Sequence, residues 1–202
     1  MDRLLEGYRA FRTKRWPHEK AHYEELAEGQ KPSFLVIACC DSRVDPATIF
    51  DARPGELFII RNVANLVPPY EPGAGLHGTS AAIEFAVEIL QVQTILVMGH
   101  AFCGGVQAAL DNKEPHPGSF LYTWVGLLDA AKERVTHDHD HDPARALEYE
   151  SIKVSLENLM TFPFIADRVK DGRLKLAGAH YGVADGKLTL YDTGSDSFTS
   201  LE

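Results

Sequence analysis

Five short runs divide this chain and decide its fold class. Phe34-Leu35-Val36-Ile37-Ala38-Cys39, Leu57-Phe58-Ile59-Ile60 and Thr94-Ile95-Leu96-Val97-Met98 are nearly continuous apolar stretches, the pattern of strands covered on both faces. Leu174-Lys175-Leu176-Ala177-Gly178-Ala179 reads as a fourth strand and Lys187-Leu188-Thr189-Leu190-Tyr191 as a fifth. Helical segments lie between them. Thr79 to Leu90 is apolar at Ala82, Ile83, Ala86, Val87 and Leu90, and Phe120 to Val135 and Pro143 to Leu159 read as two more helices. Strands separated by helices pair in parallel, because a crossover helix returns the chain to the same end of the sheet. Asp185-Gly186 is a tight-turn signal and makes the fifth strand an antiparallel hairpin partner of the fourth. The predicted fold is therefore α/β: a mainly parallel sheet of four parallel strands plus one antiparallel edge strand, flanked by helices.

Before the first strand the pattern is helical. Leu4, Leu5, Tyr8 and Phe11 recur at helical spacing, Trp16 and Pro17 interrupt, and a second helix from about Pro17 to Glu28 is closed by Gly29. This polar arm, residues 1–29, carries large aromatics, Phe11 and Trp16, that need cover, and packing on a partner subunit would supply it. A chain of 202 residues is long enough for one well-buried domain and short for two, so 1–202 is read as a single domain with this arm.

The chemistry-bearing residues sit at strand ends. The first strand ends in Cys39-Cys40-Asp41-Ser42-Arg43, and the third runs into Gly99-His100-Ala101-Phe102-Cys103-Gly104-Gly105. In a parallel α/β sheet the carboxyl ends of the strands share one edge, where ligands bind. That places two Cys, a His, an Asp and an Arg together. Cys39, His100 and Cys103 form a three-ligand Cys₂His set with an open fourth position, the layout of a catalytic rather than a closed structural zinc site. Gly99, Gly104 and Gly105 let the backbone come close. Cys40 is expected to point to the opposite face from Cys39 and not to bind. The three cysteines are too few, and odd in number, for a disulfide framework.

Ala38-Cys39-Cys40-Asp41-Ser42-Arg43-Val44, Pro54-Gly55-Glu56-Leu57-Phe58, Arg61-Asn62-Val63-Ala64-Asn65-Leu66-Val67-Pro68-Pro69-Tyr70 and Gly99 to Val106 resemble the β-carbonic anhydrases. The Val-Pro-Pro-Tyr segment is closer to the plant-type subgroup. The resemblance is dense from about Gly29 to Leu110 and looser to about Asp192. It implies reversible hydration of carbon dioxide to bicarbonate, with Cys39, His100 and Cys103 as zinc ligands and Asp41 and Arg43 as the catalytic dyad. It further implies that Gln30 reaches the substrate from a neighbouring subunit, that Phe58 and Val63 line an apolar pocket, and that Gly104 offers a backbone contact beside the metal. Phe85 stands where a pocket Tyr is common, and Cys40 where Ser is usual. A homodimer or higher oligomer follows, since the site is shared.

The borrowed roles make physical sense. Zinc acidifies water, to a pKa of about 7 in a three-histidine carbonic anhydrase; two thiolates donate more charge, so a Cys₂His site should acidify it less. Asp41 can accept a hydrogen bond from the nucleophile, and Arg43 can hold Asp41 bidentately; without Arg43 the carboxylate could swing into the open position. Some bacterial relatives hold an inhibitory bicarbonate with a Trp, an Arg and a Tyr. The matching positions here are Val36, Arg61 and Phe85, so only the arginine remains and no such pocket is expected. Arg61 is expected to pair with a carboxylate at a subunit interface.

Two other functions fit the same motifs: a carbonyl sulfide or carbon disulfide hydrolase on this scaffold, or a non-catalytic zinc-stabilised interaction module. Retention of Asp41 and Arg43 argues against the module. A formal charge of −9 with no dense basic block speaks against nucleic acid as a partner, no apolar run approaches a membrane span, and the first residues lack a secretory core, so a cytoplasmic location is expected. The His137-Asp138-His139-Asp140-His141-Asp142 tract reads as an exposed connection, and His77, His116 and His180 have no ligand spacing.

Overall fold

The computed structural model describes residues 1–73, 75–111, 118–136 and 142–201. It divides into two compact units, Met1–Lys31 and Pro32–Glu202. The first is helical: α1 (Asp2–Ala10), a wide π turn over Phe11–Arg15, and α2 (Trp16–Ala27). The expected break at Trp16-Pro17 does not occur. Pro17 lies in the first turn of α2, just past the π turn, where the widened spiral gives its ring room and its missing N–H is least costly. Phe11 and Trp16 are half-buried, packed on each other edge-on at 6.1 Å between ring centres, with Tyr23 5.1 Å from Trp16. Leu4 and Tyr8 of this unit stay uncovered, 72% and 60% exposed.

The second unit is built on a six-stranded sheet in the order β2-β1-β3-β4-β5-β6. Its strands are β1 (Phe34–Cys39), β2 (Leu57–Asn62), β3 (Thr94–His100), β4 (Lys175–Tyr181), β5 (Leu188–Asp192) and β6 (Ser197–Ser200). The first four pair in parallel, and β5 is the antiparallel hairpin partner of β4. The sheet has two antiparallel edge strands rather than one, because β6 folds back on β5. Ser197-Phe198-Thr199-Ser200 is too short and polar to show as a strand, and it qualifies because Phe198 packs on Tyr191 and Tyr149.

Helices α3 (Pro46–Ile49), α4 (Gly78–Glu84), α5 (Gly104–Leu110), α6 (Phe120–Val125), α7 (Asp129–Thr136), α8 (Pro143–Leu159) and α9 (Pro163–Lys170) complete the unit. Local chemistry marks several starts: Asp45 caps α3, Ser119 caps α6, and Asp142 accepts from the amides of Ala144 and Arg145 at the head of α8, with Pro143 next to it. The segment expected to be helical over 79–90 continues past α4 as a π turn, Phe85–Ile89, and a 3₁₀ turn, Gly126–Leu128, separates α6 from α7. The largest core cluster joins Leu35, Ile37, Ile95 and Val97 of the sheet to Ile83, Val87, Ile152, Leu159 and Ile165 of the helices. Val36, Ala38, Met98 and Ala179 form a smaller cluster of their own. Among the described residues no helix is long and apolar enough to cross a membrane.

The strand order fixes where a ligand can sit. From β1 the chain crosses over to β2 on one side and then to β3 on the other, so the crossovers diverge between β1 and β3. Beyond the carboxyl ends of two such strands a crevice opens. The last paired residues there are Ala38 and Met98, and Cys39 and His100 emerge past them.

Candidate metal centre

Cys39 ends β1, His100 ends β3, and Cys103 is the residue just before α5. All three are buried, and their ligand atoms lie within 4.8 Å of one another. The two sulfurs are 3.9 Å apart. Two sulfurs about 2.3 Å from one tetrahedral zinc would be about 3.8 Å apart, so the spacing suits that ion. His100 Nδ1 lies 2.9 Å from the carbonyl of Ala101 and donates to it. That fixes the tautomer and leaves the lone pair on Nε2, which is buried and has no hydrogen-bond partner. A buried acceptor with nothing to accept from is costly unless a cation takes its lone pair. The thiols couple to each other: a hydrogen bond from Cys103 holds Cys39 well below the ordinary thiol range, and the same bond pushes Cys103 above it. The donor set therefore fits zinc, with His100 Nε2 and two thiolates as three of four tetrahedral positions. Cys40 is exposed and outside the group, in keeping with the end of β1 at Cys39.

Asp41 and Arg43 face each other on the loop after β1. Arg43 donates from Nε to Asp41 Oδ1 at 2.9 Å, from Nη2 to Oδ2 at 2.7 Å, and from its backbone amide to Oδ1 at 2.9 Å. The Arg43 guanidinium holds the Asp41 carboxyl well below the usual carboxylate range against the opposing effect of burial. Asp41 lies outside the group of side chains close enough to one another to hold an ion.

The loop is fixed by Arg61 of β2. Its guanidinium donates to the carbonyls of Cys39 at 3.0 Å, Asp41 at 2.6 Å and Val44 at 3.0 Å, and lies 3.6 Å from Asp45. Arg61 is thus engaged within its own chain. Val36, at one of the three bicarbonate positions, is fully buried in the sheet.

The other expected pocket residues divide. Val63 starts a 3₁₀ turn, Val63–Asn65, that packs on α5: a Cβ added at Gly105 would sit 2.5 Å from Val63 Cγ1. Gly105 is therefore a glycine that close approach demands. Gly104 is exposed, with nothing within 4 Å of a Cβ there. Phe58 and Phe85 pair with each other, ring centres 5.8 Å apart. Phe58 aligns with Leu35 and Asn62 with Cys39, so Phe58 stands four residues, about 13 Å, along the sheet from the level of Cys39. The chain does not bring Phe58 to its own metal group. Gln30 belongs to the N-terminal unit, exposed and just beyond α2.

A model of the carbonic anhydrase family matches residues 34–188, which span every strand of the parallel sheet and all ligand positions. The chain belongs to the β-class carbonic anhydrases. It is 37% identical over 199 residues to beta carbonic anhydrase 3 of Arabidopsis thaliana, covering 95% of this chain and 77% of that one. It is 41% identical over 189 residues to beta carbonic anhydrase 5, chloroplastic, of the same plant, covering 91% of this chain but only 62% of the relative. The solved β-carbonic anhydrase CcaA superposes with a TM-score of 0.93 at 35% identity, covering all of this chain and 92% of that one. A tetrameric β-carbonic anhydrase from Sordaria macrospora superposes at 0.80 and 27% identity, covering 94% of this chain and 95% of that one. Members of this class are zinc lyases that hydrate carbon dioxide, and the buried Cys39–His100–Cys103 group is where this member can hold its metal.

Sequence reasoning passed over the buried polar side of α8. Glu148, Ser151, Ser155 and Asn158 recur at three- and four-residue spacing, one stripe of the helix. Ser155 donates to the Asn65 carbonyl and accepts from the Val67 amide, Ser151 accepts from the Asn65 side chain, and Asn158 donates to the Val67 carbonyl. The stripe holds the segment in which Ala64 and Asn65 are left-handed, with φ of 61° and 51°. Small polar residues at helical spacing, Ser151, Ser155 and Asn158, were the available signal. Of the histidines considered, His180 is buried against Glu148, while His116 and 137–141 of the His/Asp tract lie outside the described residues.

Proposed function

We propose that this chain hydrates carbon dioxide reversibly to bicarbonate and a proton on a zinc ion held by Cys39, His100 and Cys103. The observation that carries the reading is the Arg43 grip on Asp41 beside a buried three-donor group. A structural zinc site needs no such pair and has a fourth protein ligand. When bound, zinc supplies Lewis acidity that makes a nucleophile available from water near neutral pH.

The chain's own residues do the aiming. A carboxylate offers about four acceptor positions. Arg43 fills two on Oδ1 and one on Oδ2 of Asp41, leaving one on Oδ2. That remaining position accepts the O–H of the nucleophile and turns its lone pair toward carbon dioxide. Arg61 keeps the Asp41 backbone still while this happens, and Val63 offers an apolar wall for the uncharged substrate. Gly104 has room for the substrate beside its backbone.

Self-association into at least a homodimer belongs to the same proposal. It is supported by Phe58 and Phe85, which lie away from the metal group of their own chain and so are available to a partner's, and by the tetrameric state of the Sordaria relative. Stopped-flow hydration of carbon dioxide, with zinc determined on the same sample, tests the function. Hydration by protein carrying one zinc per chain is expected. Zinc-loaded protein that leaves carbon dioxide untouched, or prefers carbonyl sulfide or carbon disulfide, would overturn it. Sedimentation of fully active protein as a monomer would overturn the shared site.

A further inference from the structure

The peptide unit between Phe102 and Cys103 is held at both ends. Its carbonyl, on Phe102, accepts from Arg43 Nη2 at 3.0 Å. Its N–H, on Cys103, donates to Glu148 Oε1 at 3.2 Å. Phe102 is left-handed, φ 59°, a conformation that a non-glycine residue adopts only when its surroundings impose it. Phe102 has an exposed ring, so packing of the side chain does not impose it; the two hydrogen bonds on the following peptide do.

Glu148 is suited to hold its end. It is 3% exposed, rises from the second turn of a 17-residue helix, and has its second oxygen fixed 3.1 Å from His180 Nε2. On the other side of that ring, Arg145 Nη1 faces Nδ1 at 3.5 Å. A guanidinium can only donate, so Nδ1 accepts and Nε2–H donates to Glu148. The order Arg145, His180, Glu148, Cys103 N–H is then one consistent run of donors and acceptors. His180 comes from β4, so helix, sheet and metal loop meet at one carboxylate.

Resting on the reading of Cys39, His100 and Cys103 as zinc ligands, we propose that Glu148, locked by His180, is a positioning residue for both the metal and the dyad. It sets the plane of the Phe102–Cys103 peptide. The N-terminal side of that plane anchors Arg43, which keeps Asp41 off the metal; the C-terminal side carries the Cys103 sulfur. Loss of the acceptor lets the peptide rotate, releasing strain at Phe102 while displacing both a ligand and the dyad's anchor. Hydrogen bonds of this kind behind a ligand are worth about 10- to 100-fold in metal affinity.

The experiment measures zinc affinity by competition with a chelator, and the visible spectrum of the cobalt-substituted protein, in Glu148→Met, Glu148→Gln and His180→Leu. Circular dichroism reports folding. Glu148→Met fills the volume without an acceptor and is expected to lose zinc affinity about tenfold or more, with a cobalt spectrum shifted toward that of Arg43→Ala. Glu148→Gln can still accept from the Cys103 amide but turns an NH2 on the His180 Nε2–H, so it is expected to lose about as much as His180→Leu and clearly less than Glu148→Met, the partial rescue that a general destabilisation would not give. His180→Leu leaves Glu148 unlocked and is expected to weaken zinc in the same direction, about threefold or more; it carries the test should Glu148→Met fail to fold. Parental affinity and an unshifted cobalt spectrum in a folded Glu148→Met or His180→Leu overturn the proposal, as does a Glu148→Gln as impaired as Glu148→Met. Failure of the parent protein to bind zinc would instead overturn the ligand assignment itself.

Discussion

Arg43 grips Asp41 through both carboxylate oxygens and, with the same Nη2 that reaches Oδ2, holds the carbonyl of Phe102 beyond the neighbouring strand end. One guanidinium thus ties the loop after β1 to the loop that carries Cys103. Removing it should free Asp41 to turn toward the cation only a loop away.

Arg43→Ala is therefore expected to keep one zinc per chain and lose hydration activity by at least about a hundredfold, a cost of roughly 2.7 kcal/mol in transition-state stabilisation. Its cobalt-substituted form should show an added oxygen ligand. Asp41→Asn should lose activity by a similar factor without that added ligand, because an amide is a poorer donor to the metal. Turnover near the parent's in both variants, with metal retained, would show the pair to be an ordinary ion pair.

Metal removal should be felt in stability as well as activity. His100 Nε2 is buried with no hydrogen-bond partner, and one thiol proton must be accommodated between Cys39 and Cys103. Binding that occurs only in the folded state stabilises that state. Chelated protein is expected to melt at lower temperature than the zinc form, and added zinc to restore it. Cys39→Ser, Cys103→Ser and His100→Ala should each abolish the restoration, while Cys40→Ser, altered at an exposed position, should keep it. A scanning-calorimetry series with zinc titrated back decides this.

The parallel sheet and the three ligand positions were legible before the structure because both rest on local signals. A strand covered on both faces needs an unbroken apolar run, and parallel connections put Cys39 and His100 at one edge. β6 was not legible, since a four-residue polar edge strand owes its existence to Phe198 packing on Tyr191 rather than to its own pattern. Nor was the π turn before Pro17, which replaces a helix end with a wider spiral. The supporting residues were the largest gap. Glu148, Arg61 and Phe102 meet the ligand loops through backbone atoms, and backbone contacts between distant segments leave no spacing to find. Arg61 shows the difficulty: it is an exposed-type cation at a strand end, and nothing in its spacing marks the three carbonyls of its own chain that accept its hydrogen bonds.

Gly105→Ala tests how tightly the metal loop is packed. The new methyl would meet Val63 Cγ1 at 2.5 Å and the Ala64 amide nitrogen at 3.2 Å. A buried backbone atom on one side cannot move aside like a side-chain end, so overpacking should cost about 1–3 kcal/mol. For a chain of this size that is a fall in melting temperature of roughly 2–12 °C. Gly104→Ala, with open space around the added carbon, should melt within about a degree of the parent, since surface substitutions of this sort cost little. Equal losses from the two substitutions would contradict the packing described for α5.

The dependence of activity on pH separates the dyad from its neighbours. Arg43 depresses the Asp41 pKa in the folded state, so Asp41 contributes stability that is present above the ordinary carboxylate range, about 3.9, and is lost as pH falls through its lower folded value. Asp41 is ionised throughout the range in which hydration is measured and cannot supply the acid limb of the profile. That limb should follow one titration, of the water that becomes the nucleophile. No bicarbonate pocket should add to it: Val36 is buried and has no donor, Phe85 has no hydroxyl, and Arg61 already spends Nε and Nη2 on the carbonyls of Cys39, Asp41 and Val44. The logarithm of kcat/KM against pH is expected to rise with a slope of about one and then level, and added bicarbonate should inhibit only by competition at the metal. Arg61→Met should lower activity across all pH values by loosening the Asp41 loop, leaving the slope unchanged. A slope near two in the parent that Arg61→Met reduces to one would show that a cooperative proton-linked pocket exists around Arg61 after all.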